Sequence, residues 1–222
     1  MKAKHNHFIP HYSYLPIISC AIFGNLIYFV TKLLYDPARA YDLSLGIDQT
    51  LPYLSPFILI YVLAYLQWVF GYIMIARESR DEIYKAAATN AVAKTFCGII
   101  FLAIPTVMLR AEIAGNGILD SLTNFIYAAD TPAVNLFPSI HCLESWSVFR
   151  FTLRTNLPKA YKIAMGLFTF AVFASVLFVK QHIFLDIPAG ILVFELAYLI
   201  VKYTKIDQKI AKLFQKQTKP SC

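Results

Sequence analysis

Five residues of this 222-residue chain have the types and spacing to handle an anion with a labile ester. His182 and Asp186 are four apart in His182-Ile-Phe-Leu-Asp186, a spacing that puts imidazole and carboxylate on one helical face. A carboxylate beside an imidazole fixes its tautomer and stabilises the positive charge it develops as nucleophile or base. The same pair also serves as a structural hydrogen bond at an interface. Phe137-Pro138-Ser139-Ile140-His141 reads as a turn entering a helix, with Ser139 as cap. The unpaired N–H groups of such an N-terminus form an anion cradle, and His141 is placed to donate a proton there. Arg110 offers a planar, permanently charged fork for phosphate oxygens, or else an interfacial anchor. Lys180, two residues before His182, adds a second cation.

Elements that could hold these residues follow from the composition. Hydrophobic residues make up 58% and charged residues only 15%, against about 45–50% and 25% in soluble domains. Mean hydropathy is +0.57. Such a chain cannot clothe a water-facing surface, which excludes an ordinary cytosolic enzyme, a disordered regulator and a disulfide scaffold. It has the composition of a chain crossing a bilayer several times. The 18 Phe and 14 Tyr suit the aromatic belts of a membrane interface. The net charge of +7 does not point to nucleic acid, since the basic residues sit in short loops and tails and no nucleic-acid-binding motif is present. Cys20, Cys97, Cys142 and Cys222 lack paired spacing, so neither a metal knuckle nor a disulfide framework is expected. Ile17-Ile18-Ser19-Cys20 faintly resembles a lipoprotein cleavage box, but the apolar run continues to Leu34 and reads as a retained span. His5, His7 and His11 decorate or tether the N-terminal tail, with metal binding the alternative.

Spans of about 20 apolar residues are expected at 14–34, 57–76, 87–109, 159–179 and 183–203. A sixth, 138–156, is weakened by Glu144, Arg150 and Arg154. Six spans with both termini in the cytoplasm put fifteen of the 20 basic residues inside, as the positive-inside rule requires. Dropping the sixth would export the lysine-rich C-terminus. The expected fold is therefore all-α: a polytopic membrane protein, six transmembrane helices in a bundle, one domain over 1–222. Residues 35–56 and 110–137 form outer loops, the second with a short surface helix at Ile118 to Ala128. Asp130 and Asn135 read as loop-shaping residues. Arg110, His141, Lys180, His182 and Asp186 then gather at the outer face, where ionisable groups mark function. Lys94 lies within a span, as a snorkelling residue or paired with Glu144 or Glu195. Glu144, three residues after His141, either tunes that histidine's proton affinity or pairs within the bundle. Pro188 and Gly190 bend or closely pack the last span.

The chain resembles the type 2 phosphatidic acid phosphatase (lipid phosphate phosphatase) superfamily. That family carries a Lys/Arg segment ending in Arg-Pro, a Pro-Ser-x-His segment and Ser-Arg-x5-His-x3-Asp. The second is Pro138-Ser139-Ile140-His141, and the third is Ser175-Val-Leu-Phe-Val-Lys180-Gln181-His182-Ile-Phe-Leu-Asp186. The first survives only as Pro105-Thr106-Val-Met-Leu-Arg110-Ala111. The family's lysine and arginine positions hold Ala103 and Val176, and Ala111 replaces the proline. The resemblance implies that His182 attacks phosphorus, Asp186 orients it and His141 protonates the leaving group. Arg110 and Ser139 hold phosphoryl oxygens, and Lys180 replaces a lost cation. It implies no metal and no other cofactor, a lipid phosphate or diphosphate as substrate, and the bilayer as partner. The expected setting is a bacterial-type plasma membrane, with the site facing outward. Lys-Gln-His with Phe-Pro-Ser-x-His also resembles the branch related to sphingomyelin and inositol phosphorylceramide synthases, in which a lipid alcohol replaces water as acceptor.

Overall fold

The computed structural model describes residues 8–108, 110 and 112–217. Lys2, Lys4, His5 and His7, together with Ala111, Lys219 and Cys222, lie outside the described residues. The elements are α1 (Tyr14–Leu33), α2 (Gly46–Thr50), α3 (Phe57–Glu78), α4 (Arg80–Ala103), α5 (Ile118–Ala129), α6 (Ile140–Thr152), α7 (Lys159–Phe178), α8 (Asp186–Thr204) and α9 (Ile206–Gln217). Among the described residues there is no β-strand, only two isolated bridges, Tyr41 with Thr106 and Val107 with Val134.

Among the described residues, five helices are long and apolar enough to cross a membrane: α1 with its leading turn, α3, α4, α7 and α8. They carry large apolar side chains on their outer faces, such as Ile22 and Phe29 of α1, Leu66 and Phe70 of α3, and Leu167 of α7. The segment expected as a sixth span is shorter than the reading of 138–156. Helix α6 has 13 residues, about 20 Å at 1.5 Å per residue, well short of a hydrocarbon core about 30 Å thick. Its surroundings explain its composition. α6 packs against α3, α4, α7 and α8, so its polar side chains meet protein instead of lipid. Ser145 Oγ accepts from Trp68 Nε1 at 2.9 Å, and Glu195 accepts from Trp146 at 2.9 Å and pairs with Arg150 at 3.3 Å.

Ser79 joins α3 to α4 alone. Its extended backbone (φ −154°, ψ 120°) stops one helix, and its side chain then accepts from Glu82 N to cap the next. Asp81 and Glu82 in that first turn face the positive end of the helix dipole. Arg154 closes the same end of the molecule, gripping Glu82 through two N–H donors at 2.6 and 2.9 Å. The opposite end gathers the long connections. There Leu54 N bonds to Phe178 O (3.0 Å), Tyr41 N to Pro105 O (2.9 Å) and Ser139 N to Asp186 O (3.1 Å). Helix α5 matches the expected short helix, and its Leu119, Leu122 and Ile126 pack onto a core of α3, α6 and α7 side chains.

Candidate active site

The two histidine segments meet where Ser139 N bonds to Asp186 O at 3.1 Å. Helix α7 ends at Phe178, and Lys180 takes a left-handed backbone (φ 53°) that turns the chain so Gln181 N and His182 N both reach Val176 O, at 2.9 and 3.1 Å. Asp186 then opens α8. Its Oδ2 lies 2.9 Å from His182 Nδ1 and accepts from Ile183 N at 3.1 Å. The expected pair therefore forms, but not on one helical face: His182 precedes α8 and the carboxylate reaches back to it. With Nδ1 engaged, Nε2 is the ring atom left for other chemistry.

Helix α6 starts beside this pair. Ser139 caps it, its Oγ accepting from Cys142 N at 3.2 Å. Thr106 Oγ1 accepts from Leu136 N and Phe137 N, both at 3.2 Å, and so fixes the turn before Pro138. A Cβ on Gly190 of α8 would fall 2.6 Å from Ser139 O, so the absence of a side chain there permits the approach of α8 to α6. His141, in the first turn, stands 6.0 Å from His182 between ring centroids. It stacks on Tyr61 (4.4 Å, 23°), and its Nε2 is 3.2 Å from the Tyr65 hydroxyl. Trp68 flanks it at 5.2 Å. Sequence reasoning missed this aromatic cage. Tyr61, Tyr65 and Trp68 share one face of α3 by their i, i+4, i+7 spacing, a signal that interfacial aromatics also produce.

Arg110 reaches the pair through Gln181, donating from Nη2 to Gln181 Oε1 at 2.8 Å. The same nitrogen contacts Asp130, and the guanidinium lies over the Tyr127 ring at 4.7 Å. Asp130, expected only to shape its loop, thus holds Arg110, and it also accepts from the Tyr28 hydroxyl. Asn135 does shape the loop, with a positive φ of 57° and a bond from its side chain to Thr31 Oγ1 at 2.9 Å.

Two of the expected phosphate ligands are employed elsewhere. The Ser139 side chain is fully buried and its oxygen caps α6, so it positions the helix and lines neither cavity described below. Lys180 Nζ donates to the carbonyls of Asp48 (2.9 Å) and Leu51 (2.6 Å), tying the α2 segment to the turn after α7. Burial pushes its pKa down against the opposing pull of Asp48. Asp48, also unforeseen, pins the same turn by accepting from Phe184 N at 2.7 Å.

His182 borders two cavities. One, of about 380 Å³, runs between α1 and α3 past both histidines and is walled mainly by apolar and aromatic side chains. The other, of about 450 Å³, has a mixed lining, in which Arg110, Lys180 and Asp48 stand beside Leu51, Met108 and Leu177. Three buried polar atoms around the histidine pair have no hydrogen-bond partner among the described residues: Arg110 Nε, Gln181 Nε2 and Asp186 Oδ1. Buried donors are rarely left unpaired, and two donors here suit an acceptor-rich ligand. Among the described residues, no group of three or more His, Cys, Asp or Glu is arranged to hold a metal ion. Lys94 pairs with Glu144 as expected, and Glu144 bonds to Tyr72 and Lys94 instead of His141. No protein-family model, curated protein or solved structure matches this chain.

Proposed function

We propose that this chain is an integral membrane lipid phosphatase of the type 2 phosphatidic acid phosphatase kind, working through a phosphohistidine. The observation that carries the reading is the His182–Asp186 pair at 2.9 Å with His141 across from it at 6.0 Å. The unpaired donors on Arg110 and Gln181 support it. His182 Nε2 attacks phosphorus, the bond from phosphorus to the lipid oxygen breaks, and protonated His141 gives its proton to that oxygen. Asp186 stabilises the positive ring. Water then attacks phosphorus as the N–P bond breaks, and its proton goes to His141, which is neutral after the first step. Arg110 and Gln181 hold the phosphoryl oxygens, so the chemistry rests on positioning and electrostatics. Tail carbons of the substrate, a phosphatidic acid or polyprenyl diphosphate type of lipid, occupy the apolar cavity.

The six crossing segments, including the short α6, form one bundle with both termini in the cytoplasm, and the site faces outward. The distribution of basic residues supports this orientation. A second reading has the phosphohistidine pass its group to a lipid alcohol, as the Lys180-Gln181-His182 segment suggests. It is favoured by the two separate cavities meeting at His182, one for each lipid. Purified protein given labelled lipid phosphate, with and without diacylglycerol or ceramide, decides between them. Free phosphate supports the first and a new phospholipid the second. If neither forms, and no labelled phosphoenzyme is trapped on the wild type, both readings fall.

A further inference from the structure

The apolar cavity has a charged floor that phosphoryl transfer does not use. Lys94 of α4 and Glu144 of α6 both line it and are paired with each other. They are only 2% and 4% exposed. Placing such a pair inside a membrane domain is expensive. Each member is held from behind. Lys94 Nζ also donates to the Cys20 carbonyl of α1. Its stem lies against Gly24, where a Cβ would come within 2.9 Å of Lys94 Cε. Glu144 Oε2 accepts from the Tyr72 hydroxyl at 2.5 Å, and that hydroxyl accepts from Asn90 at 2.8 Å.

An ammonium has three donors and a carboxylate about four lone-pair positions. Contacts among the described residues use two of each. Both residues line the cavity, and a hydroxyl group there can take up the remaining donor and acceptor capacity at once. The depth also fits. Glu144 lies three residues beyond His141, about 4.5 Å along the helix axis. A lipid whose phosphorus sits between His141 and His182 brings the carbons next to its phosphoester to that level.

Resting on the phosphatase reading above, we infer that Lys94 and Glu144 form a specificity site for a hydroxyl on the lipid backbone close to the phosphoester. Among lipid phosphates the preferred class is then a glycerol- or sphingoid-based one with a free hydroxyl, of lysophosphatidate or sphingoid base phosphate type, over diacylated phosphatidic acid, whose backbone hydroxyls are both esterified. Isoprenoid phosphates carry only hydrocarbon there and leave the pair unsatisfied. Sites built to hydrogen-bond a substrate hydroxyl discriminate strongly against analogues lacking it.

The test uses the full chain in nanodiscs and measures phosphate release from three lipids of equal chain length: a lysophosphatidate, a sphingoid base phosphate and a plain alkyl phosphate. At least one hydroxyl-bearing lipid is expected to exceed the alkyl phosphate in kcat/KM by about tenfold or more, and the faster one names the backbone. In the paired variant Lys94→Met with Glu144→Gln, which leaves no lone buried charge, that ratio falls to near one. The isosteric Glu144→Gln alone lowers it if the paired variant does not fold. A ratio near one in the wild type, or one that survives both variants, overturns the inference. If the wild type hydrolyses none of the three but releases phosphate from phosphatidic acid or a polyprenyl diphosphate, the inference falls and the phosphatase reading stands; if it hydrolyses none of these lipids, the phosphatase reading fails by itself. The site is then judged by thermal shift of the His182→Ala variant. Stabilisation by a hydroxyl-bearing lipid but not by alkyl phosphate supports it, and equal or absent stabilisation overturns it.

Discussion

At the scale of the residue, His182 is held on one edge by Asp186 and left open on the other. Replacing it with Ala is expected to cut phosphate release by about a thousandfold or more and to abolish acid-labile phosphoenzyme. Asp186→Asn keeps the shape but takes away the charge that stabilises the ring, with an expected loss of about a hundredfold or more in kcat. Steady-state turnover and phosphoenzyme trapping check both. For Arg110, whose fork divides between Asp130 and Gln181, Lys keeps the charge but loses the planar geometry. Arg110→Lys is expected to raise KM for lipid phosphate by about tenfold, measured on protein with an unchanged melting temperature. That His182, Asp186, His141 and Arg110 come together was legible in the sequence because such charges are costly near a membrane. The contacts of Ser139 and Lys180 were not. Each has a type that suits phosphate, but each is consumed by nearby backbone, Ser139 by Cys142 N and Lys180 by the carbonyls of α2. Asp130 was hidden for the converse reason: its partners Tyr28 and Arg110 are 102 and 20 residues away, and spacing carries no trace of them.

At the scale of the element, the proposed catalysis depends on how α6 meets α8. The two touch where Ser139 N bonds to Asp186 O and where Gly190 leaves room for the Ser139 carbonyl. Because the atom a side chain would strike at 2.6 Å is backbone, Gly190→Ala must move one helix start against the other. The expectation is a folded, membrane-inserted protein whose kcat falls by about a hundredfold, since misplacement of about 1 Å is enough for that. Normal activity in that variant would show that the contact is slack. Long apolar helices were legible from hydropathy alone: α1, α3, α7 and α8 lie within three residues of their expected limits, whereas α4 covers 80–103 instead of 87–109, because Ser79 caps it before the apolar stretch begins. The extent of α6 was not legible, because hydropathy measures affinity for lipid and α6 is surrounded by other helices.

At the scale of the whole molecule, the two ends differ in character. Arg77, Arg80, Arg150 and Arg154 cluster at the end where α3 meets α4 and α6 meets α7, with Lys202, Lys205, Lys209 and Lys212 at and beyond the end of α8, whereas the long connections and the site occupy the other. A cysteine introduced at Asn116 is expected to react with an impermeant thiol reagent from outside intact cells, and one at Lys209 only after permeabilisation. The reverse pattern would invert the proposed orientation. Cys222 is first replaced by Ser; the other native thiols, Cys20, Cys97 and Cys142, are buried and should label little.

The enclosure of α6 also governs how the protein can be made. A segment of 13 residues that carries Glu144 and Arg150 has little reason to leave the translocation channel for lipid by itself, since each central charge opposes insertion by about 2.5–3.5 kcal/mol. Its stable surroundings are α3 and α4, already synthesised, and α7 and α8, still to come. A nascent chain ending after residue 156 is therefore expected to leave 138–156 uninserted in a glycosylation-mapping assay, and one extended past α8 to insert it. Equal insertion at both lengths would refute this. The helix bearing His141 would thus join the membrane domain late and by recruitment, which makes the meeting of His141 with His182 one of the last events in biogenesis.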